Sequence, residues 1–182
     1  MELRTVKGRL IIKNDKTESI SDLLREALDK SKSLRGVNLR GKYIKGVDLS
    51  WEDLCNADIR NCNLFNCDLY HTDFRGAVTN SNGPEISSSL SNANLQGMKF
   101  GEKVVKDMKV FDGLYVYRVW AVLFTNGERY IRMGCLYKKL ETWERIGIRK
   151  SNTGEFPNDG SDRSEERVLA YGFAKAAVLR MK

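Results

Sequence analysis

The sequence predicts a mainly β protein in three parts: a helical cap, a central coil of short repeats and a C-terminal α+β domain. Three observations support this prediction. A large apolar residue recurs every five positions from Leu34 to Phe74. A helical apolar stripe precedes these repeats, and two Gly-containing hairpin signals follow them. We therefore place the three parts at residues 1–31, 32–101 and 102–182.

Composition excludes several classes of protein. Of the 182 residues, 41% are hydrophobic and 30% are charged, as in folded domains. No stretch has the ~20 apolar residues that a membrane span needs, so we expect a cytoplasmic protein with no membrane partner. Four cysteines and one histidine favour neither a disulfide framework nor a zinc site, and we expect no metal and no cofactor. The net charge of +7 is dispersed among acidic residues, so nucleic acid is a disfavoured partner.

The first part is predicted to contain one strand and one helix. Residues 3–13 are strand-like, and residues 21–33 have helical periodicity with Ser19 in position to cap the first turn. We expect this helix to cover the first coil of the repeats, because the edge of that coil would otherwise expose unpaired backbone groups.

The central part is a run of five-residue units. Two positions before most centres stands a small or β-branched residue, and one position before them stands Asn or Asp, with Tyr43 as an exception. Asn and Asp side chains cap nearby backbone groups, so they suit the corners of a polygonal coil. The pattern breaks at residues 79–89, a loop-like stretch rich in Ser and Asn, and resumes at Leu90.

The clearest run of units is NADIRNCNLFNCDLYHTDFRGA, from Asn56 to Ala77. This run resembles the pentapeptide-repeat family, whose motif is A(D/N)LxX. The resemblance implies a short, right-handed, quadrilateral β-helix in which four consecutive units make one coil.

A coil of four units predicts which outward side chains are stacked. Trp51 falls over His71, and residue 50 falls over Tyr70. With Phe65, these side chains are predicted to form one exposed aromatic cluster. Exposed apolar surface usually marks a contact, and Trp and Tyr are frequent in binding hot spots. The cluster is therefore either a partner-binding site or a surface covered by another segment of the chain.

The last part is predicted to begin with a three-stranded antiparallel meander. Two strong hairpin dipeptides, Asp112-Gly113 and Asn126-Gly127, separate three strand-like runs. Two-residue turns at both places set Trp120 between Val105 and Met133.

Two helices are predicted to follow the meander, over residues 138–146 and 162–181. The second has an apolar stripe formed by Val168, Leu169, Phe173, Ala176 and Ala177. The helices cover one face of the sheet, so the other face must meet either the end of the repeat coil or a second copy of the chain. We expect a second copy, giving a homo-oligomer, most simply a dimer.

A second resemblance concerns the run YIRMGCLYKKLETWERIG, from Tyr130 to Gly147. It is similar to the tail domain of phage- and prophage-encoded pentapeptide-repeat proteins. The resemblance implies packing roles for Gly134, Cys135 and Trp143, and an origin in a phage.

The functional prediction is a non-enzymatic binding or inhibitor protein. No catalytic group of side chains is evident, because a nucleophilic relay would depend on the single histidine, and the aligned aspartates suit corner capping. The resemblance implies action on a host macromolecule, with counter-defence as one role. The repeats are electrically neutral, which argues against mimicry of DNA.

Two alternatives remain open. One is sequestration of an anionic, nucleotide-like ligand at an oligomer interface; the other is a structural role in the virion. For the first, a loop with basic side chains and free backbone amides supplies the candidate anion contacts. These are Arg145, Arg149, Lys150, Ser151, Asn152 and Thr153.

Overall fold

The computed structural model describes residues 1–83, 85–86 and 93–182 of the chain. The chain forms two compact units, Met1–Val104 and Val105–Lys182. In the described part of the chain, none of the helices has the length and apolar content that crossing a bilayer requires.

The first unit begins with a β-hairpin. Strands β1 (Glu2–Arg4) and β2 (Leu10–Lys13) pair antiparallel, with Leu3 opposite Ile12. The prediction of one continuous strand over residues 3–13 is wrong, because Gly8 adopts a left-handed backbone conformation (φ 83°) and the chain reverses there.

Helix α1 (Ile20–Asp29) has the predicted N-terminal cap. The Ser19 hydroxyl accepts hydrogen bonds from the backbone amides of Ser21 and Asp22, at 3.1 and 3.4 Å. The helix ends before the predicted residue 33, because Ser31 adopts a left-handed conformation (φ 50°) and turns the chain toward the repeats.

Both N-terminal elements bond the edge of the first coil. The amide of Val6 donates to the carbonyl of Gly36 at 2.8 Å. From the helix, the Arg25 guanidinium donates to the carbonyls of Lys45 and Gly46, at 2.9 and 3.0 Å. These bonds satisfy backbone groups that an open strand edge would leave exposed.

The repeats stack in parallel coils. Strand β3 (Tyr43–Lys45) pairs with β4 (Asn63–Phe65), with Ile44 opposite Leu64. The same spacing along the chain recurs in the parallel bridges Asp48–Asp68 and Asp53–Asp73. Each of these pairs joins residues that are four units apart. Four five-residue units therefore make one coil, and the repeats have the β-helical organisation that their motif implies.

The large and small inward positions of the repeats form the core that the periodicity predicts. All nine centres are at most 2% exposed: Leu34, Leu39, Ile44, Leu49, Leu54, Ile59, Leu64, Leu69 and Phe74. Cys62 and Cys67 fill small inward positions and are buried, as predicted.

Parts of the predicted loop, residues 79–89, are strand. Strand β5 (Val78–Thr79) and strand β6 (Glu85–Ile86) already belong to parallel pairs, β5 with β7 (Lys99–Phe100) and β6 with β4. Partners in these pairs lie one or two positions farther apart along the chain than partners in β3 and β4. The predicted centre Leu90 lies outside the described residues.

The second unit contains four antiparallel strands rather than the predicted three. Their order is β8 (Lys103–Phe111), β9 (Val119–Phe124), β10 (Arg129–Met133) and β11 (Leu136–Lys139). The additional strand β11 forms because Gly134 adopts a left-handed conformation (φ 59°) and makes a tight turn after β10.

The predicted register is also wrong: Trp120 lies opposite Val110 and Arg132. Residues 112–118 form a longer connection in place of a two-residue turn at Asp112-Gly113. The Asn126 turn is one residue longer than predicted, since the amide of Phe124 donates to the carbonyl of Glu128 at 2.9 Å.

Helices α2 (Leu140–Ile146) and α3 (Asp162–Arg180) complete the second unit, with a 3₁₀ turn (Ile148–Lys150) between them. Trp143 of α2 is fully buried, and its indole N–H donates to the carbonyl of Ile131 at 2.9 Å. The predicted packing role of Trp143 is confirmed, whereas Cys135 is exposed.

The buried face of α3 differs from the predicted stripe. Its buried residues are Ser164, Arg167, Ala170, Tyr171, Ala174 and Val178. Leu169 and Phe173 of the predicted stripe are 62% and 58% exposed. The helix carries apolar residues on two faces, and the face with the small residues Ala170 and Ala174 is the one that packs against the sheet.

Candidate partner-binding site

The corners of the repeats share one backbone conformation. The second residue after each centre has a positive φ, from 51° to 71°, at all nine positions between residues 36 and 76. Seven of these positions hold Gly or Asn, the residues that tolerate this conformation best. The other two are Trp51 (φ 65°) and His71 (φ 56°). The conformation is unfavourable for the bulky Trp side chain and less so for His, and both corners depart from the Gly or Asn of the other seven.

Trp51, Tyr70 and His71 form one compact group of rings, which we call the aromatic cluster. The rings of Trp51 and His71 are stacked, with centroids 4.1 Å apart and an interplanar angle of 16°. The Tyr70 ring meets both edge-on, at 5.8 Å from Trp51 and 4.4 Å from His71. Trp51 is 70% exposed and Tyr70 is 41% exposed, so the cluster lies open on the surface.

Aspartate side chains hold the backbone of the corners near the cluster. Asp68 accepts a hydrogen bond from the amide of Tyr70 at 2.9 Å, and Asp48 accepts one from the amide of Ser50 at the same distance. The hydroxyl and amide of Ser50 lower the pKa of Asp48, because both donate to its charged form. The corner-capping role predicted for these aspartates is confirmed.

Phe65 belongs to a different group of rings. It stacks on Tyr43, with ring centroids 6.3 Å apart, and the Lys45 ammonium lies 5.9 Å from its centroid. The predicted four-residue cluster is therefore two separate groups. Tyr43 is 56% exposed, and the sequence marked it as the exception at a position otherwise held by Asn or Asp.

A comparison with protein families covers this part of the chain. Residues 43–78 match the family model for pentapeptide repeats, in eight copies. This segment consists of pentapeptide repeats. Neither the curated proteins nor the solved structures contain a match to the chain.

Cysteines in the pentapeptide repeats have structural roles. Cys55 follows the centre Leu54, a position whose side chain the repeat pattern predicts to point outward, yet it is buried. Arg35 binds the neighbouring Asp53, and Arg75 binds Asp73. Burial and the neighbouring Asp53 and Asp73 raise the pKa of Cys55 to about 11. Such a thiol is protonated at neutral pH and is a poor nucleophile.

The predicted anion-binding loop lies in the second unit, and the side chains of three of its six residues bond to groups of that unit. Arg149 pairs with both carboxylate oxygens of Glu165. The Asn152 side-chain amide donates to Glu155 at 3.0 Å, and Ser151 is buried. Arg145, Lys150 and Thr153 are exposed.

Arg167 is an important residue that sequence reasoning missed. It is only 3% exposed, and its guanidinium donates to the carbonyls of Ile148 and Ser151, both at 2.9 Å, and to the Ser151 hydroxyl at 2.8 Å. Burial lowers the pKa of Arg167. Arg167 is a charged residue on the buried face of α3, and hydrophobic periodicity does not predict a charged residue there.

Proposed function

We propose that this protein is a non-enzymatic binding protein that recognises a macromolecular partner through the aromatic cluster. The observation that carries the proposal is the placement of Trp51 and His71 at two left-handed corners, stacked one coil apart and open to solvent. Strained conformations of bulky residues occur preferentially at functional sites. Stacked rings with a Tyr beside them form a rigid, amphipathic surface of the kind that protein interfaces favour.

The partner that this surface fits is a protein. Residues 34–100 contain equal numbers of acidic and basic residues, so the repeats lack the positive charge that a phosphate backbone requires. The similarity of residues 130–147 to the tails of phage-encoded proteins supports a phage origin. We therefore propose a protein of the bacterial host as the target, with inhibition of a defence function as the role.

The proposal includes two structural statements. The repeats wind as a right-handed, four-sided β-helix, supported by the regular pairing of residues four units apart. The chain also self-associates through the C-terminal domain, for which the support is the apolar surface that this domain exposes.

The test is affinity capture from bacterial lysate with quantitative mass spectrometry. The wild type is compared with Trp51→Asn/Tyr70→Ala, and Tyr43→Ala serves as the matched control because the exposure of the Tyr43 ring lies between those of Trp51 and Tyr70 and it is outside the cluster. We expect one host protein to be retained by the wild type and the control and lost by the double variant. Retention of the same proteins by all three would contradict the proposal.

Sequestration of an anionic ligand and a role in the virion are the alternatives. A specific observation weakens the first: Arg149 is already ion-paired with Glu165. Replacement of Arg149 would therefore break an internal contact, and Arg145 and Lys150 are the better residues to change. Loss of activity in Arg145→Glu/Lys150→Glu with an intact double variant of the cluster would favour sequestration.

A further inference from the structure

Helix α3 has a second apolar face, and this face is exposed. Leu169, Phe173 and Leu179 are 62%, 58% and 53% exposed, and Ala176 is exposed between them. Their spacing of three and four residues places them on one side of the helix, away from the side that packs in the core. An exposed apolar stripe of about three turns is a contact surface rather than a set of scattered residues.

Gly172 lies in the middle of this stripe, and no contact within its own unit requires a glycine at this position. A Cβ built at this position meets no atom of the chain within 4 Å. Gly in the interior of a helix is unfavourable relative to Ala, so an exposed helical Gly is unexpected unless another backbone approaches it closely.

Charges at the two ends of the exposed face are opposite in sign. Asp162 and Glu166 lie at its N-terminal end, and Arg180 lies at its C-terminal end. Within the described ranges of the chain, none of these three side chains has an ion-pair partner. The midpoint between Glu166 and Arg180 is residue 173, at the centre of the apolar stripe.

We propose that this face of α3 binds α3 of a second copy, with the two helices antiparallel and a twofold axis beside Gly172 and Phe173. This arrangement sets Glu166 alongside the partner's Arg180, and the same register brings Leu169 within one position of the partner's Ala176. It rests on the self-association included in the proposed function, and it moves the contact from the predicted sheet face to the helix. Strand β9 is buried throughout its length, so it offers no such face.

The distribution of charge along this face favours α3 of a second copy as its partner. A twofold interface requires one patch to be complementary to itself, and a face with acids at one end and a base at the other meets that requirement only when the helices are antiparallel. A parallel pair would place Glu166 against the partner's Glu166 and Arg180 against the partner's Arg180, which is repulsive.

The first test is sedimentation equilibrium of the full chain from 1 to 100 µM. We expect the wild type to reach twice the chain mass of 20.8 kDa, and Phe173→Glu to raise the dimer dissociation constant by more than about 30-fold. Val116→Glu is the matched control, because Val116 is 61% exposed in the same unit and lies off the helix. A wild type that is monomeric at 100 µM overturns both the interface and self-association. A dimer that resists Phe173→Glu overturns the interface alone.

The second test is a charge exchange, which keeps the proposal open to refutation if Phe173→Glu misfolds. Glu166→Arg and Arg180→Glu are each expected to weaken the dimer by about 2- to 30-fold, because the twofold symmetry makes each ion pair occur twice. The combined variant Glu166→Arg/Arg180→Glu restores the pairing with its sign inverted, so we expect it to recover dimerisation. Weakening in the combined variant equal to the product of the two single effects would overturn the antiparallel arrangement.

Discussion

Replacing both exceptional corner residues with Asn tests whether the aromatic cluster serves binding or folding. The double variant Trp51→Asn/His71→Asn gives these corners the residue that stands at the equivalent positions 56, 61 and 66. If the rings exist for a partner, the fold has no need of them, and the variant remains as stable as the wild type.

The magnitude follows from two opposing contributions. A left-handed conformation costs an ordinary residue roughly 1–2 kcal/mol, and Asn bears less of that cost, so two replacements recover about 1–2 kcal/mol in total. Loss of the stacked and edge-on contacts costs about 0.5–1.5 kcal/mol. Trp51 is 70% exposed, so little buried area is lost with it. The expected change in the free energy of unfolding therefore lies between about −0.5 and about +1.5 kcal/mol.

The assay is amide hydrogen exchange with mass spectrometry, because it reports the stability of the two units separately. Protection of peptides from residues 37–79 is expected to stay within about threefold of the wild type or to increase. A loss of protection of more than about 30-fold, equivalent to about 2 kcal/mol at about 1.4 kcal/mol for each factor of ten, would refute the reasoning. Such a loss would show that the rings are part of the fold. The C-terminal peptides provide the internal control.

Three further predictions follow from the same structure. Trp143→Ala removes a fully buried ring and its hydrogen bond to Ile131, so the second unit is expected to lose about 3–5 kcal/mol of stability, measured as exchange of peptides from β9 and β10; a loss below about 1 kcal/mol would contradict the buried position. Of the four thiols, only Cys135 is exposed, so Ellman's reagent is expected to titrate one thiol rapidly at pH 8 and the other three only after denaturation; two fast thiols would place a second cysteine at the surface. The Arg60 guanidinium lowers the pKa of Asp58, so this carboxylate stabilises the fold above its unfolded pKa of about 3.9, and that contribution disappears as the pH falls through the lower folded value. We therefore expect the repeats to unfold more readily below pH 4 and Asp58→Asn to reduce this dependence in acid denaturation followed by circular dichroism, whereas an unchanged acid transition would remove Asp58 from the explanation.

The repeats were predictable because their structure is decided within each five-residue unit. Every unit carries its own inward pair and its own corner, so the centres from Leu34 to Phe74 could be read without knowledge of distant contacts. The stacking of Trp51 on His71 then followed from counting four units along the chain. Phe65 was grouped incorrectly. Counting units predicts which residues stack from one coil to the next, but it does not predict which outward side chains on neighbouring sides of a coil are in contact.

The C-terminal unit was less predictable because its structure depends on contacts between distant segments. Strand β9 is buried along its whole length, so it has no alternation that fixes its register. Helix α3 carries two apolar faces, and the choice between them depends on how closely Ala170 and Ala174 allow the helix to approach the sheet. The apolar pattern of the sequence shows both faces of the helix but does not indicate which of them is buried.

The coil length has a consequence for how this surface can change during evolution. Trp51 and His71 meet only because four whole units separate them, and each unit is built independently of the next. Insertion of a single five-residue unit between them would leave every motif intact and yet place Asn66 over Trp51. The surface is therefore specified by a number of units as well as by side chains. Gain or loss of one unit would exchange, in a single step, the outward neighbours of all pairs that span it, which gives such a protein a rapid route to a new partner.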